Sequence, residues 1–292
     1  MPAIFVLFLR GTDGKRKWVF KSEAGEGPPK HMVSQGGRAV REHLASLFNS
    51  HQLFPIPPTF YVEYKGEIGS IQQFIEGQRI ADVEESVELS EGSQEEVPEN
   101  VEGGQSSGTV AAPSLKVDQS DLQRIVVFDI LFHNTDRNAD NFIAVFDDSR
   151  SLYNLKGIDH GECLGDRREG FYPVETNPHG LLEESINVDS TIVDTILKDD
   201  EIKGCRKLIQ NRVQSGKIKE IALKRFELTS ELLQGAFSEY GEKLSFFVIV
   251  NEFAKLQTEH SDKFLQMDDG FKPKCIEEFM ERLSNVLKTG EK

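Results

Sequence analysis

Asp136, Asn141 and Asp159 have the types and spacing that chemistry on a phosphate needs. They lie in one stretch, His133 to Gly161, that reads HNTDRNADNFIAVFDDSRSLYNLKGIDHG. Asp136 and Asn141 are five residues apart in a polar loop, between an apolar run (Ile125 to Phe132) and an apolar strand (Phe142 to Phe146). Asp159 follows a second strand, and a hairpin returns the two strand ends to one place. Phosphoryl transfer needs a carboxylate to orient an acceptor hydroxyl, with an Asn and an Asp to hold Mg²⁺ on the phosphates. Alone, Asp136 would read as an Asx-turn in Asn134-Thr135-Asp136. Its partners turn D-x-x-x-x-N followed by I-D-x-G into a metal-nucleotide pattern.

Two further side chains complete that pattern. Lys21 ends a strand, where an ammonium can reach the α- and β-phosphates if a carboxylate holds it, and Glu42 on the following helix is that carboxylate by position. The same pair also reads as a surface lysine and a solvated helix residue. The segment Gly69 to Gly77, GSIQQFIEG, ends a strand where the chain would cross between lobes, and Gln72 and Ile75 are the expected adenine contacts. His133 and His160 flank the acidic groups, either tuning a carboxylate or shaping the loop through hydrogen bonds. No G-x-x-x-x-G-K run and no H-E-x-x-H run occurs.

The elements that must position these residues follow from periodicity. Residues 3 to 9 and 17 to 21 form a hairpin across Gly11 to Lys15, and Ser22 to Gly37, rich in Gly and Pro, reads as loop. Ala39 to Phe48 is apolar at 40, 44, 47 and 48, a helical period closed by Pro55, Pro57 and Pro58. Strands at Thr59 to Tyr64 and Ile68 to Ile75 surround a Lys65-Gly66 turn, which completes a small α+β lobe over residues 1–78. Residues 79–119 are acidic, rich in Ser and Gly and free of aromatic residues, and read as a disordered insertion, either a solvated linker or a regulatory tail. A second, mostly helical lobe over 120–288 begins with a helix at Leu122 to Phe132. Helical spacing recurs over Ile218 to Phe237 and Ile276 to Leu287, while Leu244 to Val250 reads as buried strand or buried helix.

Composition bounds the rest. At 292 residues the chain can bury a sizeable core, and its formal charge of -15 argues against unaided binding to nucleic acid or anionic membranes. No run of 18 apolar residues predicts a membrane span, and residues 1 to 9 lack the features of a signal peptide. The expected location is cytoplasmic, with at most peripheral membrane contact. Three widely spaced cysteines read as reduced thiols.

Taken together, VFK at Val19 to Lys21, RE at Arg41-Glu42, IPPT at Ile56 to Thr59, GSIQQFIEG, FHNTDRNADNF and GIDHGECL resemble the phosphatidylinositol 3-/4-kinase superfamily. The resemblance is nearest to the type II and the plant gamma-type phosphatidylinositol 4-kinases. It implies a bilobal, protein-kinase-like α+β fold, a β-rich N-lobe, a helical C-lobe, and ATP and Mg as cofactors. It also implies roles: Lys21 on the phosphates, Glu42 as its partner, Gln72 to Ile75 at the adenine, Asp136 as catalytic Asp, and Asn141 and Asp159 on the metal. The implied acceptor is a phosphoinositide lipid, and protein acceptors are implied by the plant gamma-type relatives. Two features depart from the pattern: the opening Met1-Pro2-Ala3-Ile4 shows no glycine- or serine-rich phosphate loop, and the cysteine-rich palmitoylated insert of animal type II enzymes is missing. A catalytically dead pseudokinase that acts as a binding module is therefore a competing expectation.

Overall fold

The computed structural model describes residues 6–10, 17–26, 37–83, 116–164, 174–213 and 216–290. The N-terminal part is one antiparallel sheet with strand order β1-β2-β4-β3, comprising β1 (Val6–Arg10), β2 (Lys17–Ser22), β3 (Thr59–Tyr64) and β4 (Glu67–Gln73). Lys65 and Gly66 join β3 to β4 with φ of 54° and 80°. A two-residue hairpin turn whose twist matches its strands requires positive φ at both centres. Between β2 and β3 lie a single helical turn, α1 (Glu23–Glu26), and the helix α2 (Arg38–Phe48). The loop expected over Ser22 to Gly37 therefore begins with ordered structure, and residues 27–36 lie outside the described residues.

The two ends of the insertion expected over 79–119 are folded instead. Strand β5 (Gln78–Arg79) pairs with β6, residues 80–83 are helical, and Ile80 and Val83 are buried. Val117 is buried and bridges Tyr153 in parallel. The acidic composition of the window hid these few apolar residues, each of which removes its side chain from water in the core. The remaining residues, 84–115, lie outside the described residues.

After α3 (Gln119–Phe132) come β6 (Phe142–Asp147) and β7 (Leu152–Gly157), which with β5 make a three-stranded sheet. The rest is helical: α4 (Asp199–Arg212), α5 (Gly216–Tyr240), α6 (Phe246–Glu259), α7 (Ser261–Gln266) and α8 (Phe271–Thr289). The ambiguous Leu244 to Val250 is the start of α6. Ser245 caps it by accepting from the Val248 amide, and Phe246, Ile249, Val250, Phe253 and Leu256 are buried on one face. The fold is thus α+β, a small antiparallel sheet followed by a mostly helical part.

Helix α3 is apolar on nearly all sides and is buried from Leu122 to Phe132 except at Arg124. Its last residue anchors an aromatic column: Phe132 stacks on Phe48 of α2 at 4.0 Å between ring centroids and on Phe226 of α5 at 5.6 Å. This column ties the end of α2 to the helical part and fixes where Glu42 stands. No helix among the described residues is long and apolar enough to cross a membrane.

Candidate active site

Lys21 and Ser70 face each other across β2 and β4. A Cβ on the neighbouring Gly69 would lie 2.1 Å from the Lys21 carbonyl oxygen, so only glycine lets the strands meet there. Glu42 projects from α2 between the two side chains. Lys21 Nζ donates to Glu42 Oε1 at 2.8 Å, and the Ser70 hydroxyl donates to Oε2. Glu42 is 2% exposed, so this pairing is what makes its charge tolerable.

The second group grows from the end of α3. His133 turns the chain with φ of 50°, and the Asn134 amide and side chain both bond back to Asp129. Arg137 then re-enters the interior. Its Nε and Nη2 hold both Asp129 oxygens at 2.8 and 3.0 Å, and Nη1 donates to the carbonyls of Asn141 and Ile158, each at 2.8 Å. Burial opposes the charge on Arg137, but Asp129 outweighs it and raises the guanidinium pKa above its ordinary value. One buried cation thereby fixes the loop of Asp136 against the strand that leads to Asp159.

Within that frame Asn141 Nδ2 donates to the Asp136 carbonyl at 2.6 Å, which fixes the orientation of the amide. No described residue donates to the Asn141 side-chain oxygen. Asp136 is half-buried, and Asn138 donates to its carboxylate at 3.2 Å. The Ile158 amide donates to the Asn141 carbonyl at 3.0 Å, so Asp159 leaves the hairpin beside Asn141. Asp159 has φ of 55°, a left-handed conformation that Asp adopts more readily than most side chains.

Lys21 Nζ lies 3.9 Å from Asp159 Oδ1, which joins the two groups into one site. Burial works against ionisation of Asp159, but the Lys21 ammonium, joined by the Arg38 guanidinium, holds its carboxyl below the usual carboxylate range. His160 is buried against Phe128, and burial followed by the Arg137 charge pushes its pKa well below the usual range, so the ring is neutral. Neither of its ring nitrogens has a hydrogen-bond partner among the described residues.

No group of three or more His, Cys, Asp or Glu among the described residues could hold a metal alone. Asn141 and Asp159 instead offer hard oxygens from two side chains. That set fits Mg²⁺, which takes one or two carboxylates together with substrate phosphates.

Of the residues read from the sequence, the structure brings Lys21, Glu42 and Asp159 into contact and joins Asp136 to Asn141. Gln72 is a correction. Strand β4 is interior, Gln72 pairs with Val19 on one side and Thr59 on the other, and its buried side chain donates to the Thr59 hydroxyl at 3.2 Å. It has no edge to offer a ligand. Ile75 lies past the strand end, and its main chain makes no hydrogen bond to another described residue. Ile75 helps line a cleft of about 510 Å³ with Gln73, Pro57, Arg124 and Lys156, which none of Lys21, Asp136, Asn141 and Asp159 borders. Reading the sequence missed Asp129 and Arg137. Their signal was a lone carboxylate in the middle of the apolar run Ile125 to Phe132, which cannot be buried there without a cation.

The family profile described as phosphatidylinositol 3- and 4-kinase matches residues 39–213, more than half of the chain. No curated protein matches. Among solved structures the chain is similar to the Helicobacter pylori proinflammatory kinase CtkA, with 12% sequence identity and a TM-score of 0.45 over 82% of this chain and 97% of that one. The match begins in α2, runs through Asp136, Asn141 and Asp159, and ends just past α4. By that match the chain belongs to the phosphatidylinositol 3- and 4-kinase family, and its class is that of a kinase-type phosphotransferase.

Proposed function

We propose that the chain is an ATP- and Mg-dependent kinase that phosphorylates an inositol lipid, of the 4-kinase kind nearest to the type II and plant gamma-type enzymes. The observation that carries this reading is the contact of Lys21 with both Glu42, at 2.8 Å, and Asp159, at 3.9 Å. It leaves one ammonium between a buried structural carboxylate and a carboxylate that can take a metal. Bound Mg²⁺ supplies charge neutralisation on the phosphates. Asn141 and Asp159 hold that metal, and Lys21 steadies the phosphates. Asp136 accepts the hydrogen bond of the acceptor hydroxyl and turns its oxygen toward the reacting phosphorus. The main chain at Ile75 meets the adenine. The enzyme works from the cytoplasm and reaches the headgroup by peripheral contact.

The net charge of -15 favours a second reading, in which the acceptor is a hydroxyl on a basic polypeptide, because anionic bilayers repel such a protein. Incubation with labelled ATP, phosphatidylinositol vesicles and a basic protein mixture distinguishes the two by where label appears. Asp136→Ala is expected to lower incorporation by about 10²- to 10⁴-fold. Label that is indifferent to this change would remove Asp136 from the mechanism.

Binding is tested separately, since a catalytically dead module would also hold nucleotide. Mg-ATP at a hundred times its Kd should stabilise the protein by about 2.7 kcal/mol. Asp159→Asn keeps the backbone conformation and should remove the metal-dependent share of the rise in Tm. No rise with any metal would leave the binding-module reading without its nucleotide as well.

A further inference from the structure

We propose that Arg38 and Glu162 are positioning residues, an ion pair that latches α2 onto the loop after Asp159 and so fixes Lys21, Glu42 and Asp159 relative to one another. The proposal rests on the reading of those three residues as the nucleotide site. Three α2 side chains at positions i, i+3 and i+4 share one face of the helix, and all three are engaged with the site. Arg38 Nη2 donates to Glu162 Oε1 at 3.0 Å, Arg41 Nη1 donates to the Cys163 carbonyl at 3.0 Å, and Glu42 receives Lys21. The loop can lie flat against the helix because residue 161 is glycine. A Cβ there would sit 3.0 Å from Arg38 Cβ and Cγ.

The two ends of α2 are held differently. The aromatic column on Phe48 holds the C-terminal end. At the N-terminal end Gly37 provides no side-chain cap, and the Glu23 carboxylate packs over it. The contacts from Arg38 and Arg41 to residues 162 and 163 are therefore what restrains that end from the side of the metal ligand.

The pair is also poorly replaceable. Glu162 is 8% exposed at its side chain and Arg38 24%. Arg38 Nε and Glu162 Oε2 are buried and have no hydrogen-bond partner among the described residues. The Glu162 charge thus depends on Arg38, and losing the arginine leaves the carboxylate stranded in a nearly dry place.

The test compares Arg38→Glu, Glu162→Arg and the double exchange with the unaltered protein. Amide hydrogen exchange of α2 is followed without nucleotide, and Mg-ATP affinity is measured by calorimetry. Each single reversal should speed exchange in the first turns of α2 and weaken Mg-ATP binding by about tenfold, and the double exchange should recover most of both. Singles that match the unaltered protein in both measurements, or a double exchange that recovers neither, overturn the latch. If melting curves show that the reversals do not fold, Glu162→Gln carries the same comparison, since it keeps the shape and removes the charge. Failure of the unaltered protein to bind Mg-ATP counts against the proposed function instead, and the exchange arm still decides whether α2 is latched.

Discussion

Arg137 and Asp129 form an ion pair at 2.8 Å between side chains that both have no solvent exposure. Removing one partner of such a pair leaves the other uncompensated, so Arg137→Met should destabilise the protein by about 3–5 kcal/mol in urea unfolding. It should also loosen the Asn141 and Ile158 carbonyls that Arg137 holds. A loss well under 1 kcal/mol would mean that Asp129 finds another partner or a proton without difficulty. At this scale the candidate site was half legible. Asp136, Asn141 and Asp159 stand out because polar loops and strand ends announce exposed oxygens. Arg137 sits in the same polar loop and looks like any surface arginine, since nothing in the local sequence says that its side chain points inward. Ser70, which holds the second oxygen of Glu42, was equally silent, because cross-strand neighbours are set by register.

At the scale of elements, periodicity located α2 and β6 closely because each buries one stripe or one face, and α3 stood out as a continuous apolar run. It failed where pairing decides. The two residues of β5 form a strand only because β6 runs beside them, and a Cβ on the preceding Gly77 would meet the Ala144 carbonyl at 2.5 Å. Gln72 was misassigned for a related reason: alternation within β4 does not reveal that both its edges are taken.

Helix α3, which delivers the loop of Asp136, depends on its first turn. Asp118 accepts from the amides of Ser120 and Asp121 at 2.9 and 3.1 Å and from Arg150 at 2.6 Å. Asp118→Ala is expected to cost about 1–2 kcal/mol at neutral pH. Burial opposes ionisation of Asp118, but the Asp121 amide and Arg150 together lower its pKa. A lowered carboxylate contributes stability above its unfolded pKa, and that contribution is lost as pH falls through the folded value. The gap between variant and unaltered protein should therefore be full at neutral pH and close below about pH 4. A gap independent of pH would show that packing, not the charged cap, is at stake.

Over the whole molecule, one core runs from Leu44 in α2 to Leu283 in α8; Cys163 and Cys275 belong to it, and Cys205 packs against it. Burial, followed by nearby carboxylates, pushes Cys205 and Cys275 up to about 12, and Cys163 is raised well above its usual value by burial and then Asp129. Thiolates are the reactive form, so at about pH 8 the folded protein should react with less than one equivalent of an aromatic disulfide in minutes, and the denatured chain with all three. Rapid labelling of the folded protein at Cys163 would mean that the loop after Asp159 opens. The α+β division was legible at this scale because every described strand lies before residue 158 and the chain after it is built of helices. The ends of the acidic window were not, since Ile80, Val83 and Val117 are too few to change its average. The buried pair at the centre also bears on descent. Neither Asp129 nor Arg137 can be exchanged first without an intermediate that forfeits about 3–5 of the 5–15 kcal/mol that typically hold a domain together. The two positions are therefore locked in lineage as well as in space: variants that abandon one should be found only where the other has changed with it.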